Sequence, residues 1–382
     1  MSCDVMRARI LVVDDDPGML RAIHRVLRRP HDVTCAPGPE AALELAGSLE
    51  LDLAVLDIRM PGMDGFELMG RLNAEHPDLD VILMTGDVNE LDATLIRAIQ
   101  QGAFYFIQKP FNNEVLQTLV ERCLELRRLR QERGHQIRRL ERELAEARQF
   151  QLSLLPPAQN HLEGVSISAR YIASAELGGD FYDYAAAGDG RVALLIADVS
   201  GHGASAAMMT GIVKSAFHAA HADAFEPLAV LDRVSVSIRA FDAARFVTLT
   251  CVRINSAPKP SLDYANAGHP PAIVAGPGGG LRFLEPTGPL VSSGFPDLTW
   301  EQHAVTLDRD DRLLLYTDGI TEARTEQGEF FGRDRIVSQM APGRDAAATL
   351  LDDILGAVAE FSGRKTQSDD MTLLAADFRE GS

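Results

Sequence analysis

Short apolar runs and amphipathic stretches alternate along the first third of the chain. Ile10-Val13, Leu53-Leu56, Val81-Met84 and Tyr105-Ile107 read as buried strands. Between them Gly18-Arg29, Glu40-Gly47 and Phe66-Glu75 repeat their apolar residues at helical spacing. Strand alternating with helix predicts a doubly wound α/β domain, a parallel sheet covered on both faces, over residues 1–114.

The pattern then changes. Residues 115–155 are rich in Arg, Glu and Leu and hold no proline until Pro156-Pro157, whose rings end any helix. A heptad reading puts Cys123, Arg130, Ile137 and Leu144 at one seam position. It puts Leu119, Leu126, Arg133, Leu140, Ala147 and Leu154 at the other. This predicts a coiled-coil linker that joins two copies of the chain, weakened where Arg130 and Arg133 fall on the seam. A single solvated connecting helix is the plainer alternative.

Residues 156–382 return to short alternating strands, among them Val192-Ala197, Phe246-Ile254, Ala272-Val274 and Arg312-Tyr316. Helices are expected at Ala204-Ala220, Pro227-Asp242 and Ala346-Phe361. Strands grouped apart from helices indicate an α+β domain with antiparallel sheets flanked by helices.

Composition narrows the function. A formal net charge of -18 argues against nucleic-acid binding, which needs a cationic surface. The four cysteines, Cys3, Cys35, Cys123 and Cys251, are scattered and suggest neither a zinc site nor a disulfide framework. The start, MSCDVMRARILVVDDD, reads as neither a signal peptide nor a membrane span, and no long apolar run follows. A cytoplasmic protein without membrane partners is expected.

Aspartates mark two candidate sites. Asp14, Asp15 and Asp16 follow the run ILVV, and Asp57 ends the run VLD. Carboxyl ends of parallel strands share one functional edge, so Asp14, Asp15 and Asp57 should converge there. Clustered carboxylates repel unless a cation intervenes, and oxygen ligands suit Mg2+. Thr85 and Lys109 also follow strands and reach the same edge, where they could hold a phosphoryl group on Asp57. Asp16 alone suits a helix N-cap.

The strings LVVDDD, VLDIRMPGMDG, MTGD and FIQKPF, in this order, resemble the receiver domain of two-component systems. The resemblance implies a five-stranded sheet and an Asp57 that takes phosphate from a histidine kinase or phosphotransfer protein. Asp14, Asp15, Asp57 and the Arg59 carbonyl would bind Mg2+. Thr85 and Phe106 would couple phosphorylation to a surface change, and Lys109 would touch the phosphoryl group.

In the last segment ELGGDFYD, ADVSGHG, YTDGITEA and SDDMT each present an acid at a strand end or turn. Carboxylates converging at a sheet rim would hold two hard divalent cations, able to activate water for in-line attack on phosphorus. These strings, with NAGHPP and QLSLLPP, resemble the metal-dependent protein phosphatases of the sporulation and stress-response branch. The resemblance implies two Mn2+ or Mg2+ ions. Asp198 would bridge them, Asp180 and the Val199 carbonyl would serve one side, and Asp318 and Asp369 the other. Asp370 ranks behind Asp369. Two departures stand out: Ala175 lies where the broader family grips phosphate with arginine, and Val-Ser-Gly separates Asp198 from His202. His202 and His269 accordingly read as turn residues.

The expectation is a response regulator whose receiver controls a serine/threonine phosphatase through a dimeric helix. Its implied substrate is a phosphorylated anti-sigma-factor antagonist. The rival is a catalytically inactive phosphatase-like module that binds a partner under receiver control.

Overall fold

The computed structural model describes residues 7–86, 105–240, 245–255, 260–294, 299–308, 310–340, 346–363 and 369–378. Cys3, Asp87 of MTGD, Ser368 of SDDMT and the last two residues of the helix expected to reach Asp242 lie outside them. The chain divides into two compact units, Met1–Leu140 and Glu141–Ser382.

In the first unit five parallel strands stand in the order β2-β1-β3-β4-β5. They are β1 (Arg9–Val13), β2 (Asp32–Ala36), β3 (Leu53–Asp57), β4 (Asp80–Thr85) and β5 (Tyr105–Gln108). Strands β1, β3 and β4 are buried on both faces, as their unbroken apolar runs require. Strand β2 went unread: DVTCA is polar, only partly buried, and lies at the sheet edge. Helices α1 (Pro17–Leu27), α2 (Pro39–Ala46) and α3 (Gly65–Glu75) follow the first three strands. Asp16 caps α1, accepting from the Gly18 amide at 2.6 Å, and Asp64 caps α3 in the same way through Glu67.

Helix α4 runs unbroken over Asn113–Leu154, so the division expected between residues 114 and 115 falls inside it. Its seam is used differently from the expectation. Leu116, Val120 and Cys123 are fully buried in the core of the first unit, with Leu119 packed beside them. Arg130 forms a two-pronged pair with the buried Asp80 carboxylate, both contacts 2.9 Å. At the other end Leu154 packs into the core of the second unit. Heptad spacing cannot distinguish a partner helix from the helix's own domains. Exposed apolar seam residues remain at Ile137, Leu140 and Leu144.

The second unit holds two antiparallel sheets. The first contains β8 (Asp180–Gly188), β9 (Arg191–Val199), β10 (Phe246–Asn255), β11 (Ser261–Ala267) and β15 (His303–Thr306), with the short β14 (Val291–Ser292) beside β10. The other has β6 (Gln159–Leu162), β7 (Val165–Ile172), β17 (Met371–Asp377), β16 (Arg312–Tyr316), β12 (Ala272–Ala275) and β13 (Leu281–Leu284). Alternate residues such as Ile196, Val252, Leu315 and Leu374 fill the space between the sheets. Helices α5 (Ala204–Ala219) and α6 (Pro227–Arg239) supply much of the core on the outer face of the first sheet. The short α7 (Asp318–Thr321), α8 (Gly332–Gln339) and α9 (Ala347–Phe361) cover the other. Among the described residues no helix is long and apolar enough to cross a membrane.

Candidate functional site

Two acid clusters emerge, one in each unit. In the first, β1 and β3 deliver Asp14 and Asp57 side by side at their carboxyl ends. Asp14, Asp15 and Asp57 each place a carboxylate oxygen within 4.8 Å of the others, and no second trio among the described residues does so. The Lys109 ammonium reaches Asp14 at 2.6 Å and Asp57 at 3.0 Å. Burial pushes the Asp57 carboxyl above its ordinary range, while Lys109 pulls it back. Thr85 is buried at the end of β4, and Phe106 on β5 packs beside the core under α2 and α3. Asp15 stays exposed. Three carboxylates around one point, all oxygen donors, fit a single hard cation such as Mg2+.

The second cluster sits at one end of the two-sheet core. Asp180 opens β8 directly across from Asp198 near the end of β9. Residues so paired project from one face of the sheet. Asp180 is buried, and its carboxylate accepts 2.7 Å hydrogen bonds from the Thr317 and Thr372 hydroxyls. Asp318 starts α7 one residue after Thr317. Gly319 lets that turn lie on the Asp370 backbone, since a Cβ there would stand 1.9 Å from the Asp370 carbonyl oxygen.

The electrostatics are repulsive. Burial, then the charges of Asp318, Asp369 and Asp370, push the Asp198 carboxyl up to about 7. Burial and Asp198 drive Asp180 well above the ordinary carboxylate range, against the pull of the two threonines. Burial and Asp369 raise Asp318, and burial raises Asp369. A set of oxygen donors that repel one another in this way fits divalent cations, whose charge offsets the repulsion.

Asp369 and Asp370 have different surroundings. Asp370 is buried and accepts from the Ser174 amide (2.7 Å) and hydroxyl (3.0 Å) and from the Gly179 amide (2.6 Å). It is occupied in folding the loop before Asp180. Asp369 is exposed and faces Asp198 and Asp318. His202 lies near enough to Asp369 to pull its carboxyl down slightly. His269 is fully buried, with Nδ1 at 2.8 Å from the Thr248 hydroxyl, and Thr248 lies opposite Asp198 on β10.

Sequence reasoning missed several contributors. Thr317 and Thr372 stand inside strings already singled out, YTDGITEA and SDDMT, but attention fell on their acids. Gln151 opens the string QLSLLPP, which carried part of the resemblance without any role being given to the glutamine. It is buried, donating from Nε2 to the Gly178 carbonyl at 2.7 Å and accepting from the Gly178 amide at 3.2 Å. A Cβ on Gly178 would meet the Tyr171 hydroxyl at 2.4 Å and an Asp370 carboxylate oxygen at 2.5 Å. The loop holding Asp180 is thus pressed between the end of α4 and Asp370.

Comparison with known proteins agrees with this division. The family model described as Stage II sporulation protein E matches residues 188–379, and that of the response regulator receiver domain matches residues 10–121. Protein IcfG of Synechocystis sp. is 28% identical over 261 residues, covering 61% of this chain and 41% of its own length. Phosphoserine phosphatase RsbP of Bacillus subtilis is 34% identical over 187 residues, 47% of this chain and 45% of that protein. The chain therefore spans less than half the length of these two curated relatives. Among solved structures the SiaA-PP2C domain of Pseudomonas aeruginosa matches 63% of this chain and 98% of its own, with TM-score 0.56 and 24% identity, a likeness of fold.

Proposed function

We propose that this chain, which belongs to the stage II sporulation protein E family and carries a response regulator receiver domain, is a metal-dependent serine/threonine protein phosphatase controlled by that receiver. The observation that carries the reading is the pairing of Asp180 with Asp198 across β8 and β9, with Asp318 and Asp369 close enough to raise the carboxyls around them. An intact acid set argues for catalysis over a purely binding module.

Asp198 would be shared by two cations. Asp180 and the Val199 carbonyl would serve one, and Asp318 and Asp369 the other. Mn2+ or Mg2+ bound there supplies positive charge to the phosphoryl oxygens and activates water for in-line attack. The protein's own part is positional. Thr317 and Thr372 fix the Asp180 carboxylate from one side, and Asp370 fixes its loop from the other. In the receiver, Asp57 accepts the phosphoryl group from a histidine kinase or phosphotransfer protein. Asp14, Asp15 and the Arg59 carbonyl hold Mg2+, and Lys109, Thr85 and Phe106 register the change.

The Gln151 contact supports control through α4. A rotation or shift at the end of that helix would act on Gly178, two residues from Asp180. Exposed Ile137, Leu140 and Leu144 favour a homodimer through the middle of the helix. The likeness to phosphoserine phosphatase RsbP favours a phosphoserine protein as substrate, and the resemblance to the partner-switching branch favours an anti-sigma-factor antagonist.

Phosphate release from a phosphoserine protein by the full chain tests this, with Mn2+, with and without beryllofluoride, and with Asp198→Ala as blank. Metal-dependent release absent from the blank, and altered by beryllofluoride, is expected. Equal release by the blank, or none from any phosphoserine protein tried, would return the chain to the binding-module reading.

A further inference from the structure

The segment from Val199 to Gly203 carries the carbonyl proposed as a metal ligand and the histidine that influences Asp369. Backbone bonds hold both of its ends. Val199 donates to Gly179, Ser200 to Phe246, and Gly203 to Leu177. Between these ties runs Ser200-Gly201-His202, and Arg245 spans that gap. Its guanidinium donates from Nη1 to the Ser200 carbonyl and from Nη2 to the Ser205 hydroxyl at 2.6 Å. Ser205 is in the first turn of α5, so one side chain ties the segment to the helix it leads into.

Two further observations mark this contact as built. Gly201 has φ 87°, and a Cβ there would lie 2.7 Å from Nη1, so the glycine makes room for the arginine. Its acceptors also suit a guanidinium. Lys214, Arg253, Arg282 and Arg312 each pair with a carboxylate. Arg245 donates to a carbonyl and a hydroxyl, which reward the shape of the fork more than its charge.

We propose that Arg245 is a positioning residue for the phosphatase reaction: it fixes the Val199–Gly203 segment against α5, and through it the Val199 carbonyl and His202. It acts through the loop and not on the substrate. A lysine, with one point of attachment, would not span both acceptors. The inference rests on the phosphatase reading, and its test separates the two.

The experiment uses the metal-free and Mn2+-loaded full chain with p-nitrophenyl phosphate as probe. Arg245→Ala is expected to lower kcat about tenfold with KM within about twofold, the signature of lost positioning with binding kept. Arg245→Lys should fall nearly as far. Added guanidinium should restore a saturable part of the Arg245→Ala rate, and methylammonium should not. Without metal, amide exchange across residues 199–203 should quicken in Arg245→Ala and slow again with guanidinium. Wild-type rates and exchange in Arg245→Ala would overturn the proposal, as would lost activity with exchange at this segment unchanged. If the wild type shows no Mn2+-dependent turnover of this probe or of a phosphoserine protein, the phosphatase reading fails, and the exchange measurement still decides whether the latch exists.

Discussion

The two acid clusters of this chain share a donor type and differ in construction. The receiver cluster gathers Asp14, Asp15 and Asp57 from loops on one edge of one sheet and sets Lys109 among them. Its repulsion is partly met by a side chain of the protein. The phosphatase cluster draws Asp180 and Asp198 from one sheet and Asp318 and Asp369 from loops flanking the other. There the Asp180 carboxylate accepts from two hydroxyls. The acids push one another's carboxyls upward. A site that carries its own cation can persist while its metal comes and goes. One that relies on hydroxyls leaves neutralisation to bound ions.

Substitutions at the centre of each cluster should separate them most sharply. Asp198→Asn should lower Mn2+-dependent phosphate release by about a thousandfold or more, because a shared metal ligand is lost. It should also raise the metal-free melting temperature of the second unit by about 2–4 °C, since a repelling charge is gone. A metal-free melting temperature that falls would contradict the repulsive picture. Asp57→Asn should leave basal release within about twofold and abolish the response to beryllofluoride, which needs the carboxylate. A retained response would place control outside the receiver.

The link between the clusters should give an intermediate effect. Gln151→Ala removes both hydrogen bonds to Gly178 while leaving each cluster's residues in place. The beryllofluoride effect should shrink to less than about twofold, with Mn2+ still required. Unchanged regulation in this variant would show that α4 transmits by another route.

Smallest in scale is a pH effect confined to the second unit. Burial lowers the His269 imidazole to about 3, so it stays neutral in the fold where an unfolded chain takes up a proton below about 6.5. The unfolded state then gains this proton as pH falls, so the His269 contribution alone removes about 2 kcal/mol of stability between pH 6.5 and pH 5, against the opposite contribution of Asp180 and Asp198, whose raised carboxyls take up protons in the fold. Denaturant titrations at pH 7 and pH 5 should show the change in stability between the two pH values shifted by about 2 kcal/mol in favour of the acid side in His269→Gln relative to wild type. Parallel slopes would remove His269 as the cause.

What could be read from the sequence follows the same contrast. In the receiver Asp14, Asp57, Thr85 and Lys109 fall at or just past the ends of apolar strands, so strand ends marked them together as candidates. The edge strand β2 escaped because DVTCA lacks the buried run of its neighbours. Asp198 and Asp318 were legible by the same rule. Asp180 was found only through its glycine string, since it opens β8, and DFYDYAAAG does not alternate cleanly. Gln151 and Arg245 left no periodic signal, because each acts on backbone atoms brought close only by the folded loops. The heptad in α4 was real as a pattern, but Cys123 and Leu154 spend their apolar surface inside their own units.

The helix grips Gly178 by its main chain alone, with Gln151 reading one N–H and one C=O. Main-chain atoms are the same whatever lies upstream, so the contact asks only that a glutamine arrive in the correct rotational phase. A different sensory domain, spliced ahead of residue 141 in helical phase, could in principle work the same phosphatase. An insertion of one or two residues would turn the glutamine away from the loop, whereas a whole seven-residue repeat would bring it back. Interchangeable inputs would thus be a matter of counting residues, with no new interface to evolve.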